Sequence, residues 1–228
     1  MTGAAQAAPF DFGIAMNGAN DLGFIHRFVP AQDTARAPLL LLHGTGGDEN
    51  DLVPIAQRIA PGAALLSARG KTLENGMPRF FRRSGEGNWD LEDFKQRTAE
   101  LVDFLKRARS AYAIEKPITL GYSNGANIAW SLLLKDPDAL AGAVLMRAML
   151  PFDPRPLPDL KGLPVLILAG SHDELVPVQQ AAVLAALLGE AGADVTYEVL
   201  PSGHGLTTED LKLAAEWLSS HGAGTPRG

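Results

Sequence analysis

The sequence predicts an α/β fold with a mostly parallel central sheet flanked by helices. Short apolar runs alternate with longer amphipathic runs, which is the pattern of strands and helices that form one sheet. The chain has 228 residues, 46% of them hydrophobic, enough to bury the core of a single domain. We therefore predict one domain over residues 1–228, with frayed tails at residues 1–9 and 219–228.

The elements of this fold can be assigned in chain order. Predicted strands cover residues 24–29 (an early antiparallel strand), 38–42, 63–66, 118–120, 143–146, 163–169 and 195–200. Predicted helices cover residues 51–60, a segment starting near Asp90, and residues 126–134, 178–188 and 207–218, the last capped by Thr207 or Thr208. Residues 69–88 show no period and are predicted to be irregular. The connection at residues 147–163 is short and rich in proline, so we predict no helical cap domain.

Composition argues against several classes of protein. The formal net charge of -6 gives no basic excess, so a nucleic-acid partner is not expected. No apolar run approaches the ~20 residues that cross a bilayer, and residues 1–9 lack the Lys or Arg of a secretory signal. The chain has no cysteine, which excludes disulfides, a thiol nucleophile and thiolate metal ligands. We expect a cytoplasmic protein that does not bind membranes.

The pentapeptide Gly121-Tyr122-Ser123-Asn124-Gly125 stands between a predicted strand and a predicted helix. In that context G-x-S-x-G forms a nucleophile elbow, a sharp turn that exposes the serine hydroxyl at the end of a strand. Glycines two residues before and after Ser123 remove side chains that would collide in such a turn. By itself the pentapeptide also fits a glycine-rich turn in which Ser123 only caps the helix.

A serine hydroxyl becomes nucleophilic when a histidine base and a carboxylate lie beside it. Asp173 follows the strand at residues 163–169, and His204 follows the last strand. The ends of parallel strands meet at one edge of a sheet, so Ser123, His204 and Asp173 are predicted to lie together. Taken singly, Asp173 would fit a helix cap and His204 a surface loop, and Glu174 is a rival carboxylate.

The loop after the strand at residues 38–42 is predicted to form an oxyanion hole, and we name residues 43–47 the oxyanion loop. Its sequence, His43-Gly44-Thr45-Gly46-Gly47, lets the backbone approach a substrate closely. The predicted donors are the N–H groups of Thr45 and of Asn124, the residue after the nucleophile. The loop is neither G-x-G-x-x-G nor a phosphate loop, because no Gly-Lys-Ser/Thr follows. We expect His43 to shape the loop from behind rather than to react.

These motifs resemble the phospholipase/carboxylesterase branch of the α/β-hydrolase superfamily. The resemblance rests on residues 43–49, 121–125, 170–177 and 203–205 and extends over about residues 23–218. Residues 68–70, 74–76, 78–83 and 86–87 resemble bacterial members related to hydroquinone-linked hydrolases. The resemblance implies an α/β-hydrolase fold and the chain order Ser, Asp, His of its triad. The chain departs from the family in having Asn124 where Gln is usual, and from the related dienelactone hydrolases in lacking their cysteine.

The function expected from these residues is that of a serine carboxylesterase acting on small to medium soluble esters through an acyl-enzyme, with no metal or organic cofactor. A thioesterase, an amidase or a peptidase would use the same three residues, and a non-catalytic ligand receptor on this fold is a further alternative. A homodimer is compatible with the sequence, although no marker indicates one.

A fairly open substrate pocket is expected around the two irregular segments. The candidate substrate-binding residues are Arg69, Phe80, Phe81, Leu150 and Phe152. Arg69 belongs to a local group with Arg79, Arg82 and Arg83. Either some of these arginines bind a substrate carboxylate or phenolate, or they are solvated loop charges or ion-pair partners of Glu74 and Glu86. We favour the second interpretation.

Overall fold

The computed structural model describes residues 22–85 and 88–222. Its central sheet has seven strands, which are β1 (His26–Val29), β2 (Leu39–Leu42), β3 (Leu65–Ala68), β8 (Ile118–Tyr122), β9 (Gly142–Met146), β10 (Pro164–Gly170) and β11 (Asp194–Leu200). Their order across the sheet is β1-β3-β2-β8-β9-β10-β11. The first strand runs antiparallel to β3, and the other neighbours are parallel. The predicted α/β-hydrolase architecture is thereby confirmed.

Five helices in the described part of the chain cover the two faces of this sheet. They are α1 (Val53–Ile59), α2 (Leu91–Tyr112), α3 (Asn124–Lys135), α4 (Val178–Glu190) and α5 (Thr208–His221). Alternate residues of β2 show the two faces: Leu40 and Leu42 join a core with α2, α3 and α4, whereas Leu39 and Leu41 join a core with α1 and α5. Because strands of this kind are buried on both faces, they are continuously apolar in sequence.

Helix ends follow local capping signals. The Asp90 side chain accepts a hydrogen bond from Asp93 N at 3.0 Å and begins α2. Thr207 and Asp210 form a capping box at the start of α5, which confirms the prediction of Thr207 as the cap. The last helix continues to His221, so residues 219–221 are helical and not part of a frayed tail. The predicted N-terminal tail, residues 1–9, lies outside the described residues.

The stretch at residues 69–88 is more regular than predicted. It contains two hairpins, formed by β4 (Thr72–Glu74) with β5 (Met77–Arg79) and by β6 (Arg83–Gly85) with β7 (Asn88–Trp89). Asn75 and Gly76 turn the first hairpin with φ angles of 52° and 78°. Asn-Gly is the dipeptide favoured by this type of two-residue turn, because both of its positions need a positive φ. The irregular prediction overlooked that signal.

The connection from β9 to β10, residues 147–163, contains no helix, as predicted. No cap domain is therefore inserted at this point. Among the described residues, no helix has the length and apolar character needed to cross a membrane.

Candidate active site

The backbone at Ser123 forms a sharp turn between β8 and α3. Its φ of 51° and ψ of -112° lie in a region that L side chains rarely adopt. A Cβ atom at Gly121 would lie 2.7 Å from the backbone of α3, and one at Gly125 would collide with the carbonyl group of Leu42. The two glycines are therefore required by close backbone packing at the turn, as the pentapeptide predicts.

The structure brings the three predicted side chains into one hydrogen-bonded chain. Ser123 Oγ donates to His204 Nε2 at 2.9 Å, and His204 Nδ1 donates to Asp173 Oδ2 at 2.8 Å. The Asp173 side chain is 0% exposed and that of His204 is 21% exposed. This arrangement directs an imidazole lone pair at the serine hydroxyl, which is the geometry of a general base beside a nucleophile.

Asp173 does not cap α4, whose N-cap is Pro177, but its side chain holds the turn that precedes this helix. Its Oδ1 accepts hydrogen bonds from Leu175 N and Val176 N, each at 2.9 Å, while Oδ2 faces His204. The rival carboxylate, Glu174, is exposed to solvent. The backbone bonds fix the orientation of the Asp173 carboxylate, so its two roles depend on different oxygen atoms.

The two predicted oxyanion donors lie just beyond neighbouring strands. Leu42 and Gly121 are paired in the parallel register of β2 and β8, so Thr45 and Asn124 each follow a paired residue by three positions. In the described part of the chain, neither Thr45 N nor Asn124 N has a hydrogen-bond partner. The Asn124 N–H also lies at the N-terminus of α3, where the helix dipole favours negative charge.

The Asn124 side chain has a second task. Its Oδ1 accepts a hydrogen bond from Phe80 N at 2.7 Å, and the segment before Phe80 in turn accepts one from the oxyanion loop, with Gly46 N donating to Pro78 O at 2.9 Å. The elbow, the β4–β5 hairpin and the oxyanion loop are therefore hydrogen-bonded to one another. Sequence analysis assigned a role only to the Asn124 backbone.

His43 lies behind the oxyanion loop, as expected. The residue is buried, its Nδ1 donates to Gly44 O at 2.6 Å, and its Nε2 accepts from Gly70 N at 3.0 Å. Burial lowers the pKa of His43, and the two bonds require one protonated and one unprotonated ring nitrogen. A neutral His43 thus links the loop to the chain after β3, and among the described residues its ring forms no hydrogen bond with Ser123.

Three of the predicted pocket residues belong instead to the core. Phe80, Phe81 and Leu150 are 2%, 0% and 7% exposed, respectively. The Phe80 ring lies 4.8 Å from the His43 ring, and the Phe81 ring lies 4.6 Å from that of Trp89. The expectation that these side chains wall an open pocket was wrong, because the chain between the two hairpins turns Phe80 and Phe81 inward and Leu150 packs into the same core.

Phe152 is half-buried and keeps a solvent-facing surface. Its ring packs on Trp89, Phe94 and Trp130 with centroid distances of 6.0, 5.8 and 5.8 Å. Side chains from two helices hold the chain just before it. Asn127 Oδ1 accepts from Met149 N at 2.9 Å, Trp130 Nε1 donates to Met149 O at 3.1 Å, and Gln180 Oε1 accepts from Leu150 N at 3.1 Å.

Arg69 forms a protein ion pair. Its Nη2 donates to Glu49 Oε1 at 2.9 Å, its Nε donates to Glu49 Oε2, and Asp48 lies 3.5 Å away. The hydrogen bond to Glu49 raises the pKa of Arg69. Two carboxylates beside Arg69 already balance its positive charge, so Arg69 is poorly suited to bind a substrate carboxylate. Its assignment as a substrate-binding residue is corrected accordingly. The ion-pair alternative was the better one, although Arg69 pairs with Glu49 and Asp48 rather than Glu74.

The other loop arginines that the sequence grouped with Arg69 also have acidic partners. Arg79 and Arg83 both pair with Glu74, at 3.0 and 2.7 Å. Arg82 pairs with Asp90 at 3.1 Å. Glu86, the other predicted partner, lies outside the described residues.

Helices cover both faces of the parallel sheet, a serine stands in the sharp turn after one strand, and an aspartate and a histidine follow later strands. This combination defines a protein of the α/β-hydrolase type. Comparison with known proteins agrees, because residues 37–161 match the alpha/beta hydrolase fold family. The Bacillus subtilis protein named "Putative hydrolase MhqD" is 46% identical over 181 residues, covering 78% of this chain and 90% of that protein. The chain therefore belongs to the α/β-hydrolase family.

Solved structures support the same placement. A Bacillus cereus carboxylesterase is 44% identical with a TM-score of 0.84, covering 87% of this chain and 94% of that one. A Mesorhizobium loti carboxylesterase is 36% identical with a TM-score of 0.83, covering 88% of this chain and 97% of that one. The chain is thus similar to bacterial carboxylesterases over nearly all of their length.

Proposed function

We propose that this protein is a serine carboxylesterase that hydrolyses small to medium soluble carboxylic esters. Ser123 is the nucleophile, His204 the general base and acid, and Asp173 the residue that orients the imidazole. The backbone N–H groups of Thr45 and Asn124 form the oxyanion hole. The observation that carries the proposal is the unbroken hydrogen-bonded chain from Ser123 Oγ through His204 to Asp173.

In the first half of the reaction, Ser123 Oγ attacks the ester carbonyl carbon and its proton passes to His204 Nε2. Asp173 stabilises the resulting imidazolium through Nδ1–H. The negative charge on the former carbonyl oxygen is held by the two backbone N–H groups, each contributing a factor of about 10² to 10³ in kcat. The carbon–oxygen bond to the alcohol then breaks, and His204 returns the proton to the departing oxygen.

In the second half, water attacks the carbonyl carbon of the acyl-enzyme. His204 takes a proton from the water, a second tetrahedral intermediate forms, and its collapse breaks the bond to Ser123 Oγ. His204 gives the proton back to Ser123, and the carboxylic acid leaves. The protein's own residues supply every proton transfer in this cycle.

The preference for small and medium esters is supported by the chain after β9. The connection at residues 147–163 contains no helix that could form a lid, and Phe152 keeps a partly exposed ring. A long acyl chain would need an extended apolar groove, whereas a short one needs only a local apolar wall. We therefore expect kcat/KM to decline as the acyl chain lengthens, without activation by an oil–water interface.

The test compares wild-type protein, Ser123→Ala and the control Ser220→Ala, in which an exposed serine at the end of α5 is replaced. Each is assayed on p-nitrophenyl butyrate and treated with a fluorophosphonate probe. We expect Ser123→Ala to lose both hydrolysis and labelling, and Ser220→Ala to retain both. Full activity in Ser123→Ala would refute the proposal, and wild-type protein that neither hydrolyses nor labels would favour a receptor.

A second assay tests the class of substrate. The wild-type enzyme is given an oxygen ester, a thioester and an anilide with the same acyl group. The leaving group is the only difference among the three substrates, so the highest kcat/KM identifies the preferred class. For an esterase, the preferred substrate should be the oxygen ester. Higher kcat/KM on the thioester or on the anilide would replace the carboxylesterase assignment while leaving the role of Ser123 intact.

A further inference from the structure

Arg147 is a buried arginine that follows β9 directly, at the same edge of the sheet as Ser123. Its side chain is 0% exposed and forms a bidentate ion pair with Asp210, with Nη1–Oδ1 and Nη2–Oδ2 distances of 2.7 and 2.9 Å. Nη1 also donates to Leu168 O at 3.3 Å. A buried guanidinium of this kind is costly unless its donors are satisfied, and here each of its three nitrogens has at least one acceptor.

The remaining bonds of Arg147 are to the loop that carries His204. Nε donates to Gly203 O at 3.0 Å, and Nη2 donates to Gly205 O at 3.1 Å and to Ser202 Oγ at 3.0 Å. The carbonyl groups immediately before and after His204 are thus bound by one side chain. Tyr122 OH donates to the carbonyl of His204 itself at 3.1 Å. Three consecutive carbonyls around the predicted base are therefore fixed by two residues.

Asp210 connects this arrangement to α5. Its Oδ2 accepts from Thr207 N at 2.8 Å and from Thr207 Oγ1 at 2.7 Å, in addition to its contact with Arg147. The same carboxylate therefore caps the helix and holds the guanidinium. The loop between β11 and α5 is bound at its His204 end by Arg147 and at its helix end by Asp210.

The backbone of Arg147 is unusual for a non-glycine residue, with a φ of 58° in the left-handed region. Its N–H donates to Leu168 O at 2.9 Å, which continues the pairing of β9 with β10 by one residue. Strained conformations of this kind persist when the surrounding contacts determine them. Here the surrounding contacts are the ones that the side chain makes with the His204 loop and Asp210.

We propose that Arg147 is a positioning residue that holds the backbone of residues 203–205 so that His204 lies between Ser123 and Asp173. This inference rests on the proposed esterase function. A guanidinium suits the task because its planar fork reaches several acceptors at fixed angles, which a lysine ammonium does not. Among the described residues, Arg147 forms no hydrogen bond or ion pair with Ser123 or Asp173, so it acts through the placement of His204.

The test variant is Arg147→Lys, which keeps the positive charge beside Asp210 and removes the planar fork. A displacement of a reacting group by about 1 Å can reduce the rate on the order of 100-fold. We therefore expect kcat on p-nitrophenyl butyrate to fall on the order of 100-fold while KM stays near the wild-type value. A purely structural ion pair would lower the melting temperature and leave kcat per folded molecule unchanged.

Leu105→Ala is the stability control, because Leu105 is buried on α2 in the core on one face of the sheet, whereas α5 packs on the other face. It should lower the melting temperature while keeping kcat per folded molecule. A wild-type kcat in folded Arg147→Lys would overturn the proposal. Equal losses of kcat in Arg147→Lys and Leu105→Ala would overturn it too, because the effect would then follow stability alone.

Tyr122→Phe decides the question if Arg147→Lys does not fold. It removes one hydroxyl and leaves the buried ion pair in place. A lower kcat at unchanged KM supports backbone positioning of His204, and an unchanged kcat overturns it. Ser123→Ala separates the two levels of the argument: if hydrolysis survives that change, the esterase proposal has failed, whereas if it is lost and Arg147→Lys is fully active, only the positioning role has failed.

Discussion

Replacing Asp173 with Asn tests the proposed mechanism at the member of the Ser123–His204–Asp173 chain that is farthest from the reacting ester. Asn has the same shape as Asp, and its Oδ1 can keep the two 2.9 Å hydrogen bonds from Leu175 N and Val176 N. That choice leaves the amide NH₂ facing His204 Nδ1, where the carboxylate oxygen lies at 2.8 Å in the native protein. Two donors cannot face each other, so His204 must move its proton from Nδ1 to Nε2.

The magnitude follows from that tautomer change. With a proton on Nε2, His204 cannot accept the proton of Ser123 Oγ, although the two atoms remain about hydrogen-bond distance apart. Changes of this type at the carboxylate of a Ser-His-Asp triad reduce kcat by about 10⁴. That factor corresponds to about 5.5 kcal/mol of transition-state stabilisation. Because substrate contacts are unchanged, KM should stay near its wild-type value.

The assay measures kcat and KM of Asp173→Asn on p-nitrophenyl butyrate, with thermal unfolding to establish that the variant is folded. Glu174→Gln is the matched control, since it removes an exposed carboxylate one position away. We expect the control to retain wild-type kcat. A loss of only about tenfold or less in folded Asp173→Asn would refute the reasoning, because proton transfer would then not depend on the tautomer. An equal loss in Glu174→Gln would point to general electrostatics instead.

Two further predictions concern the elbow and the oxyanion loop. Gly125→Ala should abolish fluorophosphonate labelling and reduce the yield of folded protein, because the new Cβ would collide with the Leu42 carbonyl; a folded, fully labelled variant would contradict this packing. Burial lowers the pKa of His43 in the folded protein. As the pH falls through about 6.5, the ordinary value for histidine, His43 therefore gains a proton in the unfolded chain but stays neutral in the folded chain. The free energy of unfolding, measured by urea titration, should therefore fall more steeply between about pH 7 and pH 5 for the wild type than for His43→Gln. An identical pH dependence in the two proteins would show that His43 is not held neutral.

Much of the fold was predictable because its signals are local. The strands of the sheet are buried on both faces, so Leu39–Leu42 and Pro164–Gly170 are continuously apolar and can be recognised without knowledge of their neighbours. The caps Asp90 and Thr207 act on backbone N–H groups within three residues. The Asn75-Gly76 turn was equally local, and the hairpin it forms could have been found from that dipeptide.

The pocket residues were harder to predict because exposure is not a local property. Phe80 and Phe81 stand in a segment that is rich in glycine and arginine, which suggested an open loop. Pairing of β4 with β5 and of β6 with β7 instead turns both rings into the core. Arg69 was misassigned for the same reason, since Glu49 is twenty residues earlier in the chain and meets it only in the folded protein.

By itself, the sequence determined the α/β class, the strand-to-helix turn at Ser123 and the order in which Asp173 and His204 follow, because each of these is written in short-range patterns of apolar residues, glycines and turn residues. Tertiary structure alone decided which carboxylate faces His204, which aromatic rings are buried, and that Arg147 and Asp210 meet beneath the His204 loop. These depend on distances between segments that are far apart in the chain. Arg147 and Asp210 are separated by 63 positions, and the packing of α5 on β9 and β10 brings them within reach of each other.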